Sequence, residues 1–450
     1  MTTIEDALAV AVSHHQAGRI DEAAGICRRI VASHPANAEG WFLLGAIEDE
    51  LGNWEQSTLC TRQALRLRPG HAEAEYNLGI SLYKQGKHSE AIECFREAVR
   101  LRPHFAEAHY SLGYALDERG NWREAVDCYR RAIDLKPDYS DAHWNLSLLL
   151  LLSGDFVRGF AEYEWRTRID QTQPREFRQP KWRGEPLEAK TILLHAEQGF
   201  GDTLQFIRYA TLVKDLVGNV IVECQKPLIR LLSNCLAIDR VVAAGEAMPE
   251  FDVHAPLLSL PGIVGTTLES IPGKGPYLFA DEALVVQWRE ALTGVAGFRI
   301  GINWRGRADK SESRKRDVPL ALMASLAAIP GVQLISVQRG PGQEDLKGAG
   351  ARLPVIDLGE FDTEHGSFMD TAAIMKNVDL MISSDTAVPH LAGALGIPVW
   401  VALPFVPDWR WLLDRSDSPW YPTMRLFRQK KAGDWAGVFR EIETALRQLV

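Results

Sequence analysis

The sequence predicts two fold classes in series: an α-helical repeat solenoid over residues 4–165, then an α/β region built on parallel sheet. Two observations carry this. Pro35, Pro69, Pro103 and Pro137 recur every 34 residues, and Gly18, Gly52, Gly86, Gly120 and Gly154 keep the same period. Beyond residue 165 the period vanishes. Short apolar runs then alternate with polar or glycine-bearing turns and amphipathic stretches, the strand–turn–helix–strand pattern of a parallel sheet. A hydrophobic fraction of 46% and a charged fraction of 24% suit a soluble globular chain. No apolar run approaches the roughly 18 residues that a membrane span needs. The opening MTTIEDALAV lacks the basic and apolar segments of a secretory leader. The six cysteines show no C-x-x-C spacing, and Cys60, Cys94 and Cys128 simply keep the 34-residue period, so a reducing cytoplasm is expected. The net charge of −9 argues against general nucleic-acid binding. No H-E-x-x-H, D-x-D or clustered Cys/His points to a metal, and no cofactor is expected.

The clearest repeat is AEAEYNLGISLYKQGKHSEAIECFREAVRLRPHF, residues 72–105. Its small residues let two helices approach, the turn glycine ends the first helix, and the proline ends the second. It resembles the tetratricopeptide repeat, with Leu78, Gly79, Ala91, Phe95, Ala98 and Pro103 at the signature positions. Four full repeats start at Ile4, Ala38, Ala72 and Ala106. A fifth from Ser140 departs from the pattern: Gly159 replaces the signature Ala, and no closing proline follows. It is expected to dock on the next domain. The resemblance implies a superhelix whose first helices line a concave surface. Tyr76, Tyr110 and Trp144 at one position, and Asn77 and Asn145 at the next, are the candidate partner-binding residues. O-GlcNAc transferase carries an asparagine ladder there that holds peptide backbone, and this chain keeps part of it. Residues 1–154 hold 22 acidic and 16 basic side chains, which favours a basic or hydroxyl-rich partner.

In the first α/β half, residues 166–282, Thr191–His195 is a strand and AEQGFGDTLQFIRY follows it. Gly199 and Gly201 allow close backbone approach, and Asp202 can cap the helix that opens there. Further strands are expected at Val220–Glu223, Arg240–Val242 and Phe251–His254. In the second half, residues 283–450, Arg299–Trp304 is a strand followed by a loop with Arg305, Arg307, Lys310, Arg314, Lys315 and Arg316, suited to neutralising a leaving diphosphate. Leu334–Val337 and Val355–Leu358 are further strands. Gln338 and Glu344 are nucleoside-contact candidates by position, and His365 and Asp370 lie in the loop and helix that follow. Val378–Ile382 is a strand, Ser383–Thr386 a polar turn, and the helix through Pro389 runs to Gly396 before the next strand, Val399–Leu403. Ligands of parallel sheets bind beyond the carboxyl ends of the strands. A helix N-terminus there suits a phosphate, and His390 lies one turn past Thr386. Trp409, Trp411 and Trp420 either wall a sugar or base pocket or pack inside; Asp434–Leu449 is a closing helix.

Asp385-Thr386-Ala387-x-x-His390-Leu391-Ala392-Gly393-Ala394 resembles the nucleotide-sugar motif of heptosyltransferase-type glycosyltransferases (family 9 and its relatives). The resemblance implies a GT-B fold, two facing Rossmann-like domains with the site between them. It places Asp385, Thr386, Ala387 and His390 around a donor's diphosphate and sugar. It makes Asp202, in the glycine loop with Gly199 and Gly201, the general base of an inverting, metal-independent transfer. Arg316 matches the family's phosphate-contacting basic residue, with Arg in place of the heptosyltransferase Lys. The last helix is expected to cross back onto the first half. The whole organisation is similar to O-GlcNAc transferase and flagellin glycosyltransferases. It implies a nucleotide-sugar donor and a protein Ser or Thr acceptor recruited by the repeats. A glycan or lipopolysaccharide acceptor, or a non-catalytic scaffold that only binds nucleotide, are the alternatives.

Overall fold

The structure, a computed structural model, describes residues 3–169, 177–273, 275–306, 316–349, 354–364 and 366–450. It divides into two compact units, Met1–Leu149 with Arg168–Gln171, and Leu150–Thr167 with Thr172–Val450.

The first unit is a helical array: α1 (Ile4–Gln16), α2 (Ile20–Ser33), α3 (Ala38–Glu50), α4 (Trp54–Leu67), α5 (Ala72–Lys84), α6 (His88–Leu101), α7 (Ala106–Asp117), α8 (Trp122–Leu135) and most of α9 (Ser140–Leu152). Helices pack in pairs, and each pair packs on the next. The 34-residue period has a physical cause at two positions. Gly86 ends α5 at φ +77°, a conformation open to glycine and strained for other residues. Gly79 sits where α5 meets α6: a methyl there would stand 2.6 Å from Phe95 Cε1. Cys60 and Cys128 fill the buried core of their repeats, and burial pushes the Cys128 thiol up to about 12. Their shared spacing therefore serves packing.

The second unit begins inside α9, earlier than the 165 boundary that repeat counting suggests. The reason is α10 (Phe156–Tyr163), whose Phe156, Phe160 and Tyr163 meet Trp409, while Phe156 also stacks on Trp420 at 5.5 Å. Gly159 is small because a methyl there would stand 2.7 Å from Leu151 Cδ2. Two all-parallel sheets follow. The first holds β1 (Leu187–His195), β2 (Val217–Cys224), β3 (Arg240–Ala243) and β4 (Val253–Pro256) in the order β3-β2-β1-β4. The second holds β5 (Phe298–Asn303), β6 (Val332–Ser336), β7 (Val355–Ile356), β8 (Leu380–Ser384), β9 (Val399–Leu403) and β10 (Met424–Arg428) in the order β10-β9-β8-β5-β6-β7. Read from β7, that is the doubly wound order whose direction reverses between β5 and β8. The first sheet reverses likewise between β1 and β4.

The closing helix Trp435–Leu449 corrects an expectation. It does not cross back to the first sheet. Val438, Phe439, Ile442 and Leu446 join Ile300, Ile302, Leu334, Leu380 and Trp400 in the core of the second sheet. The helix is amphipathic, and its apolar stripe of Val438, Phe439, Ile442 and Leu446 is buried on the adjacent sheet.

Candidate active site

Asn303 ends β5 opposite Ser383 on β8, at the reversal point of the second sheet. Its side chain organises what surrounds it. Asn303 Oδ1 accepts from Thr386 Oγ1 at 2.9 Å and Ser383 Oγ at 3.2 Å, and its Nδ2 donates to Gln338 Oε1 at 2.8 Å. Thr386 in turn N-caps the Ala387–Ala394 helix by accepting from Val388 N at 3.3 Å. This aims the helix N-terminus, with half-exposed Thr386 and Ala387, out of the carboxyl edge of the sheet.

Asp385 is buried beside that N-terminus. Its Oδ2 makes no hydrogen bond, and Arg316 Nη1 stands 3.7 Å away. Burial pushes its carboxyl up to about 6, against the pull of Arg316. His390 is also buried, donor or acceptor to Tyr421 Oη through Nδ1 at 2.9 Å and stacked on Trp411 at 5.2 Å. Burial, aided by Arg410, lowers its imidazole to about 3, so it is neutral.

The glycine loop of the first half meets this helix directly. The helix α11 (Phe200–Phe206) follows β1, and a methyl on its Gly201 would stand 3.1 Å from His390 Cδ2 and 3.5 Å from Ala387 Cα. Asp202 lies at the third position of α11, not at its cap: Gly199 is the N-cap, and Asp202 Oδ2 accepts from Gly199 N at 2.8 Å. Asp202 Oδ1 accepts from Arg410 Nη2, a buried guanidinium delivered by the second half.

Gly199, Gly201, Asp202, Arg316, Asp385, Thr386, Ala387 and His390 are thus gathered around one helix N-terminus. Gln338 and Glu344 have other employment. Gln338 Oε1 accepts from Asn303 Nδ2, Trp304 N and Arg305 N, while its Nε2 donates to Arg305 O and Pro341 O. Its amide holds the β5 and β6 loop ends together. Glu344 is exposed and bound to Gly342 N at 2.9 Å and Arg305 Nη1 at 3.3 Å. Of the expected basic loop, Arg307, Lys310, Arg314 and Lys315 lie outside the described residues, as does His365. Asp370 holds Trp288 Nε1 at 2.9 Å and the Asp362 amide at 2.8 Å.

On the helical array, Tyr76 packs on Phe95 and Phe105, and Tyr110 on Tyr129 and Tyr139, so these aromatics also pack inside their own repeats. Asn145 Nδ2 donates to Tyr110 Oη at 3.2 Å, which links the first helices of successive repeats. Asn77, which follows Tyr76 on α5, is half-buried.

Sequence reasoning missed Asn303, Asp408, Arg410 and Tyr421. The signal for Arg410 was a charged Pro-Asp-Trp-Arg-Trp run amid aromatics, in which the tryptophans drew the attention.

Tetratricopeptide-repeat family models match residues 8–71, 81–118 and 106–139. The N-terminal unit is a tetratricopeptide-repeat array. Protein FlbA of Caulobacter vibrioides is 26% identical, over 66% of this chain and 54% of its own length, so the chain spans about half of that relative. Among solved structures, MamA from Desulfovibrio magneticus RS-1 is 20% identical over 38% of this chain and 97% of its own, with a TM-score of 0.35. YrrB, described as a TPR protein with an unusual peptide-binding site, is 16% identical over 38% and 89%, with a TM-score of 0.34.

Proposed function

We propose that the second unit is a GT-B glycosyltransferase that moves a sugar from a nucleotide-sugar donor, with inversion and without a metal, to an acceptor brought by the repeat array. One observation carries the reading. At the reversal point of a doubly wound sheet, a capped helix N-terminus, the unbonded Asp385 Oδ2 and Arg316 converge, and the Asp202-bearing glycine loop abuts them. The helix end and Arg316 suit a leaving diphosphate. Asp385 suits a sugar hydroxyl, which would donate to Oδ2, the oxygen that faces Arg316. Asp202 takes the acceptor proton as the new glycosidic bond forms and the bond to diphosphate breaks. A Ser or Thr hydroxyl on a protein, in the cytoplasm, is the acceptor this proposal favours, because a repeat array is a peptide-binding surface.

A second reading, a scaffold that binds nucleotide without turnover, is favoured by the engagement of both Asp202 oxygens, by Gly199 N and Arg410. One experiment addresses both. A panel of nucleotide-sugars is screened by thermal shift, since a donor stabilises the state that binds it by mass action. Hits are followed by calorimetry on Asp385→Ala and by transfer to peptide. A donor that stabilises the parent and not Asp385→Ala supports the site, and transfer separates enzyme from scaffold. A panel with no hit, or unchanged affinity in Asp385→Ala, overturns the placement.

A further inference from the structure

We infer that Arg410 is the positioning residue for Asp202, registering the carboxylate of the first half against the donor-side helix of the second. The inference rests on the transferase reading of this site. Arg410 is 6% exposed, and its fork is shared between the two halves. Nε donates to Gln205 Oε1 at 2.6 Å and Nη2 donates to Asp202 Oδ1, both on α11. Nη1 donates to Asp408 Oδ1 at 3.0 Å and Oδ2 at 3.2 Å, on its own loop. Asp202 and Gln205 are three residues apart, so they present one helical face to one planar group. The guanidinium lies over Trp409 at 4.5 Å and Phe206 at 5.6 Å, which leaves it little alternative placement.

Three features separate positioning from mere packing. The segment holding Arg410 is strained: Leu412 has φ 54°, ψ −172°, and Asp414 has φ 52°, conformations that favour glycine. Such strain is retained where the surroundings over-determine it, and it clusters at functional sites. Next, α11 also carries Gly201 against His390, so its orientation sets the distance between Asp202 and the donor-side residues. Finally, an ionised carboxylate offers about four lone-pair directions. Gly199 N and Arg410 use two, so Asp202 keeps acceptor capacity for a substrate hydroxyl while its rotamer is held. Lysine, a point charge, cannot hold Gln205, Asp202 and Asp408 together as a fork does.

The test uses the full chain as Arg410→Lys, Arg410→Gln, Asp202→Asn and the double variant Asp202→Asn/Arg410→Lys. Transfer is measured with the donor identified by thermal shift. Arg410→Lys is expected to lower kcat roughly 10- to 100-fold, as misplacing an oriented group does, with donor Kd nearly unchanged. In the Asp202→Asn background the same substitution is expected to have no further effect, because it acts through the carboxylate. Amide hydrogen exchange over residues 199–206 is expected to quicken in Arg410→Gln. Parent-like kcat in Arg410→Lys, or multiplying losses in the double variant, overturns the inference. So does unchanged exchange over 199–206, a readout that decides the matter even if no donor turns over, which would instead count against the transferase reading.

Discussion

Asp385→Asn should stabilise the protein at neutral pH while weakening donor binding. Asp385 is 5% exposed, its Oδ2 makes no hydrogen bond, and Arg316 Nη1 is 3.7 Å away. Burial raises its carboxyl from 3.8 to about 6, Asp408 reinforcing the shift and Arg316, the Trp411 indole and Arg410 opposing it. The folded chain thus holds this proton more tightly than the unfolded chain does. The resulting contribution to stability is fully present below 3.8 and is lost as pH rises through about 6. A shift of about two units corresponds to ~3 kcal/mol. Asn has the same shape and never ionises, so it escapes the loss. Urea unfolding should show a gain of up to about 3 kcal/mol over the parent at pH 8, about half of that at pH 5 and little at pH 4. Calorimetry should show donor affinity weakened roughly 10- to 100-fold, as loss of one charge-assisted hydrogen bond does. If Asp385→Asn is destabilising at pH 8, or equally stabilising at every pH, Arg316 compensates the buried charge and the argument for a waiting acceptor oxygen fails.

Other expectations follow from single contacts. Gly201→Ala puts a methyl 3.1 Å from His390 Cδ2, on a ring confined by Trp411 and Tyr421; overpacking of about 1–3 kcal/mol should outweigh the gain of about 1 in helix propensity, and a melting temperature above the parent's would refute this. His390, lowered to about 3, should show no imidazole protonation by NMR between pH 8 and 4, and it makes stability fall as pH drops below 6.5, because only the unfolded chain takes that proton. A midpoint near 6.5 would contradict the burial argument. Asp202→Asn keeps the reach to Gly199 N and should lower kcat by about 10²–10⁴-fold with donor affinity retained; transfer at the parent rate, with chemistry limiting, would leave Asp202 only the helix-terminal bond. Gly79→Ala drives a methyl to 2.6 Å from Phe95 Cε1 and should destabilise the repeat array by about 1–3 kcal/mol in calorimetric melting, with an unchanged melt as the contrary result.

Much of this protein was legible before any coordinates. The repeat array announced itself because its helix turns need glycine, and its helix crossings a small residue, every 34 positions, and a steric requirement repeated is a period in the text. Thr386 and the Ala387–Ala394 helix were legible because capping is local chemistry between neighbours. The strand β10 went unread because its five residues follow a proline- and tryptophan-rich run and have no pattern of their own.

What the sequence by itself determined is the set of elements and the short-range chemistry at their ends, since these depend on neighbours within a turn or two. Only the tertiary structure decided which groups remain available to a ligand. Gln338 by its position and Asp385 by its motif are both ligand candidates on paper. Folding spends the Gln338 amide on Asn303 and the loop backbones, and it leaves Asp385 Oδ2 buried without a hydrogen bond. Arg410 and Asp202 are 208 residues apart, and no local rule pairs them. They meet because two separate sheets place their carboxyl edges together, and a buried charge persists only where another is brought to it.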